Sequence, residues 1–201
     1  MAKKSGKGTL LWSVIMSSPG PLVVGLGLIV GQSSTQIADF VRRSVELLAI
    51  VLSFAVYCLT TKNDYTDEEK KQRLESGTNI FVSIAMIISG AIMILLAFLS
   101  PSEEKGNVIP GLAIAILGVV ANSIFYFRYR KLGNEENNAI LKVQSKLYRA
   151  KTLVDCSVTI ALLTVLLSES TAVAFYIDIV GTCVVSLYLI YTGVMSLRKA
   201  D

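Results

Sequence analysis

Six runs of mostly apolar residues, each closed by charged or turn-forming positions, divide the 201-residue chain at approximately 10–31, 38–60, 77–99, 108–127, 152–167 and 171–197. A bilayer core of about 30 Å is crossed by roughly 20 helical residues, so this pattern predicts an all-α polytopic bundle of six transmembrane helices in a single domain. Pro19, Gly20 and Pro21 interrupt the first run. They predict a regular helix that begins after them, with Leu11 and Trp12 at the interface. The polar stretch 128–151 holds enough helix formers to extend the fifth helix beyond the membrane. Glycines at 25, 27, 31, 90, 111, 118 and 181 fall on apolar runs, where small residues allow close helix packing.

Composition moves the chain out of water. With 53% hydrophobic and 17% charged residues and a mean hydropathy of +0.60, it is too apolar for a water-soluble surface, and the lipid bilayer becomes its first partner. A net charge of +4 is modest, and no nucleic-acid partner is implied. Placement of the basic residues is more informative. Fifteen of the 19 Lys and Arg fall on one side of the six spans, Lys105 alone falls on the other, and Arg42, Arg43 and Lys151 fall in the spans or at their edges. This asymmetry predicts that both termini are cytoplasmic, in agreement with an even number of spans, and the expected location is the plasma membrane. Lys3, Lys4 and Lys7 imitate the start of a signal peptide, but no small-x-small site follows, so no cleavage is expected. No soluble domain is expected after the sixth span.

Catalytic chemistry finds little support. Histidine is absent, removing the usual general base and the commonest transition-metal ligand. Cys58, Cys156 and Cys183 are isolated in apolar stretches and read as small apolar residues, so neither a zinc motif nor a disulfide framework is expected. We expect no cofactor and no enzyme. The acidic run from Asp64 to Glu69 reads as a solvated loop, and Phe125 to Arg130 as an interfacial membrane anchor.

The remaining candidates are ionisable groups at membrane depth, which are costly and normally face a bundle interior. On the second span Arg42 and Glu46 stand one turn apart on one face, with Asp39 in reach of Arg42 and Arg43. On the fifth, Lys151 and Asp155 have the same spacing, followed by Thr159, and Asp178 opens the polar side of the sixth. Each set has two readings: a substrate or proton site, or a neutral ion pair that fastens helices together.

Six spans with both ends inside, Ala38 leading to Glu46, Ser100-Pro101 closing the third span, Arg149-Ala150 before the fifth, and Asp178 followed by Gly181 and Ser186 to Tyr191 resemble the transmembrane domain of the cation diffusion facilitator (cation efflux) family. The resemblance covers nearly the whole chain. It implies a homodimeric transporter that rocks one helix group against another, carrying a small ion or solute that enters between the second and fifth helices. It also implies a site made by an Asp or His four residues before an Asp on the second helix, and a similar pair on the fifth. Carried over, those positions fall on Arg42 and Glu46, and on Val154 and Val158. Read one residue later, the second pair is Asp155 and Thr159. Neither set makes a tetrahedral zinc site, since Arg42 repels a cation and valine offers no lone pair, so no metal is expected. The family's cytoplasmic metal-sensing domain is not expected here. The competing expectation is a membrane scaffold or regulatory subunit that keeps the bundle without transport.

Overall fold

The computed structural model describes residues 2–30, 34–61, 68–99, 109–167 and 171–198. Among them, seven helices account for nearly every residue: α1 (Ala2–Ser17), α2 (Pro19–Val30), α3 (Ser34–Thr60), α4 (Glu68–Leu99), α5 (Ile109–Glu135), α6 (Ala139–Leu167) and α7 (Thr171–Leu197). They form the six-pass, all-α membrane bundle, with α1 and α2 sharing the first pass. The expected loop from Asp64 lies partly outside the described residues, and its Glu68 and Glu69 open α4.

The first pass departs from expectation. Helix does not wait for Pro21 but is already formed from Ala2, and Ser18 is a single turn residue between two helices. Two features explain this. Proline is tolerated at the first position of a helix, where its missing N–H would have had no partner, so Pro19 opens α2. Ser18 closes α1, its backbone N donating at 3.0 Å and its Oγ at 2.7 Å to the Val14 carbonyl. Gly6, Thr9, Leu10 and Ser13, spaced as one helical face, are all buried and give α1 a seat on the bundle. Trp12, by contrast, is exposed.

Each of the other passes carries a stripe of buried positions at three- and four-residue spacing, backed by large apolar side chains that face outward. On α3 the stripe is Glu46, Ala49, Ile50, Ser53, Val56 and Tyr57, opposite exposed Val41, Leu48 and Leu59. Four helices, α3, α4, α5 and α7, contain segments long and apolar enough to cross a membrane. In α6 the apolar part is short because Lys146, Arg149 and Lys151 occupy the half that precedes it. That half is the expected helical extension of the fifth pass, and α5 likewise runs on to Glu135.

A close crossing joins α4 to α7. A Cβ on Gly90 would lie 2.8 Å from the Ser186 carbonyl, and one on Gly193 would lie 2.7 Å from the Ser83 carbonyl, so each glycine admits the other helix's backbone. Gly90 was expected in such a role, and Gly193 joins it. Between α5 and α6 the turn is set by asparagines. Asn137 takes a left-handed φ of 47°, which Asn tolerates better than most residues, and Asn138 Oδ1 accepts from Leu141 N at 3.1 Å to cap α6.

One expectation about the end of α5 is revised. Phe127 is 62% exposed and suits a membrane anchor, but Tyr129 is fully buried and Phe125 packs against the core. Helical geometry turns residues two apart to opposite sides, so one aromatic run serves both lipid and core.

Candidate functional site

Glu46 is a deeply buried carboxylate, with a side chain only 7% exposed. Its Oε1 lies 3.5 Å from Arg42 Nη1 on the same helix, and its Oε2 lies 3.2 Å from Lys151 Nζ on α6. Lys151 therefore pairs across the bundle with Glu46, whereas its spacing suggested Asp155. The lysine is held from below as well, with its ammonium 5.3 Å from the centre of the Tyr148 ring. Ser89 of α4 is buried beside Glu46.

Asp155 has a different immediate partner. Its Oδ2 accepts from Asn122 Nδ2 of α5 at 2.6 Å. Gly118, one turn away on α5, makes the room, since a Cβ there would come within 2.6 Å of the same oxygen. Lys151, Arg42 and Arg43 are all within electrostatic reach of Asp155, so the two carboxylates and three cations form one charge cluster among α3, α5 and α6. Neither Gly118 nor Asn122 was singled out for this role. A lone amide in the apolar run Val119-Val120-Ala121-Asn122, four residues after a glycine, is the sequence signal that could have found them.

The remaining candidates separate. Thr159 lies on α6, and its Oγ1 donates at 2.7 Å to the backbone carbonyl of Asp155, so this hydrogen bond stays within the helix. Val154 packs against the hydrophobic core, and Val158 is half-buried. Of the two registers considered for the fifth pass, Asp155 is thus the position that joins the charge cluster. Asp39 and Asp178 belong to α3 and α7, but their side chains lie outside the described residues. Among the described residues no three His, Cys, Asp or Glu side chains converge as a metal-binding group. Cys58, Cys156 and Cys183 are unpaired.

A second rung lies seven residues along both helices, where Gln144 Nε2 of α6 donates to Ser53 Oγ of α3 at 2.8 Å, both fully buried. Beyond it, toward the α5–α6 turn, Tyr129 and Tyr148 stack with Phe125 at centroid distances of 5.1 to 6.2 Å. Tyr129 hydroxyl shares a 2.6 Å hydrogen bond with Ser13, and Tyr148 hydroxyl a 3.2 Å one with Ser17, so α1 covers this end of the cluster. A cavity of about 380 Å³ opens between α6 and α7, lined by Ser157, Ile160, Tyr176, Ile177, Val180 and Gly181. Ser157 is two residues from Asp155, so the cavity meets α6 on the face turned away from the charges.

A bundle of six passes with an ion-paired cluster buried between its helices defines a polytopic membrane protein with charged side chains paired in its interior. Residues 10–200 match the cation efflux transmembrane domain, and the chain belongs to that family of membrane transporters. A search of curated proteins gives no match.

Proposed function

We propose that the chain is a cation-efflux-type transporter whose membrane site has exchanged transition-metal ligands for internal ion pairs, so that it does not handle zinc-like metals. The supporting observation is the environment of Glu46. It is the one carboxylate at the four positions carried over from the family, and Arg42 and Lys151 already flank it at 3.5 and 3.2 Å. A transition metal needs several nitrogen, sulfur or oxygen donors, and the neighbours here are cations. In this reading the protein works as a homodimer in the plasma membrane, with both termini cytoplasmic, and the substrate is a small ion or solute. Glu46 and Asp155 are its membrane carboxylates. Arg42 and Lys151 set the charge around them.

That two built-in cations already flank Glu46 also favours a second reading, a non-transporting scaffold or regulatory subunit. Flux across proteoliposomes separates the two. The transporter reading expects cation-dependent flux that Glu46→Gln abolishes. An absence of flux for every small cation tried, with the protein folded, would leave the scaffold reading standing.

A further inference from the structure

We propose that Lys151 is a tethered cation that occupies the substrate position of the charge cluster, and that it restricts this site to monovalent cations able to displace an ammonium ion from Glu46. The inference deepens the transporter reading and rests on it. Three observations support it. The ammonium comes from another helix, α6 to α3, rather than from a neighbouring turn of the same helix, and it sits 3.2 Å from a carboxylate that is almost wholly out of solvent. The face of Tyr148 at 5.3 Å supplies the kind of contact that suits a weakly hydrated monovalent cation. Asp155 stands one turn along α6 from Lys151 and within its electrostatic reach, so a second carboxylate is available to receive the ammonium when it leaves Glu46.

The charge count gives the selectivity. When one monovalent ion takes the place of the ammonium at Glu46 and Lys151 moves to Asp155, Glu46 keeps two cationic neighbours, the ion and Arg42, and Asp155 gains the ammonium beside Asn122, so the cluster's excess of one positive charge rises to two. A divalent ion would bring an extra positive charge beside Arg42 in a low-dielectric interior, with too few oxygen ligands to hold it. A tethered competitor also weakens binding. If Lys151 holds Glu46 more than about nine-tenths of the time, the apparent affinity of a free cation falls by about tenfold or more.

The test is thermal stability of the detergent-solubilised protein against sodium, potassium and methylammonium chloride, with N-methylglucamine chloride as the ionic-strength control. Lys151→Ala should be stabilised by at least one of the three small cations at a concentration at least about tenfold lower than wild type requires. Glu46→Gln added to Lys151→Ala should remove that effect, and magnesium or zinc should not reproduce it. Lys151→Met, which keeps the bulk, provides the same comparison if the alanine variant does not fold. Equal stabilisation of wild type and both Lys151 variants, stabilisation that survives Glu46→Gln, or a stronger response to divalent ions would each overturn the assignment. A Lys151 variant that gains monovalent binding while wild type shows no flux of any cation would instead uphold the occupancy and defeat the transporter reading.

Discussion

At the scale of single residues, Glu46 shows how far spacing alone can be trusted. Its pairing with Arg42 follows from a four-residue interval on one helix and was legible in the sequence. Its pairing with Lys151 was not, because the contact crosses from α3 to α6 and no local pattern encodes which face of α6 meets α3. The difference changes an expected outcome. Replacing Arg42 and Glu46 together by apolar residues would have been nearly neutral for an isolated pair, yet here it leaves the Lys151 ammonium buried without its carboxylate. Glu46→Ala should cost about 3–5 kcal/mol, because it strands two cations in a desolvated site. The combination of Arg42→Met, Glu46→Leu and Lys151→Met should recover most of that loss, whereas Arg42→Met with Glu46→Leu should not. Thermal unfolding in detergent measures all three. A double variant as stable as wild type would show that Lys151 turns to Asp155 or to water once its partner is gone.

At the scale of helices, the apolar runs fall on helices among the described residues, and the exceptions have identifiable causes. The proline cluster marked the break in the first pass correctly but not its nature, since Pro19 and Ser18 join two helices rather than start one. Gly90 was readable as a packing glycine from its apolar surroundings. Its pairing with Gly193 depends on how α4 and α7 cross, which lies beyond sequence periodicity. Because the atoms that a new Cβ would meet include backbone carbonyls, which move only with their helix, Gly90→Ala and Gly193→Ala should each destabilise the protein by about 1–3 kcal/mol. Gly77 is the internal control. It is exposed in α4, and a methyl group added there would meet nothing within 4 Å, so Gly77→Ala should instead stabilise by about 0.5–1 kcal/mol through helix propensity. Unfolding midpoints of the three single variants test this, and a neutral Gly90→Ala would mean that α4 and α7 separate easily.

At the scale of the whole molecule, two properties remain to be joined: its orientation and its chemistry. The distribution of Lys and Arg predicts that the α5–α6 turn, with exposed Lys142 nearby, is cytoplasmic and that Lys105 is outside. In a background with Cys58, Cys156 and Cys183 replaced, a cysteine at 105 should react with an impermeant thiol reagent applied to intact cells, and one at 142 should react only after permeabilisation. The opposite pattern would invert the bundle. Family membership and the six-pass fold were legible because they depend on the order of apolar runs and a few fixed positions. The site was legible only in part, since Arg42, Glu46 and Asp155 announce themselves as charges in apolar helices, while Asn122 and Gly118 gain meaning only when α5 lies against α6. Central to the account is the claim that this cluster of ion pairs has replaced a transition-metal site. Calorimetric titration of the purified protein with zinc, cadmium and manganese tests it most directly. The account predicts no binding tighter than about 1 mM, as befits one or two oxygen ligands beside fixed cations, and a micromolar site that disappears in Glu46→Ala would contradict it.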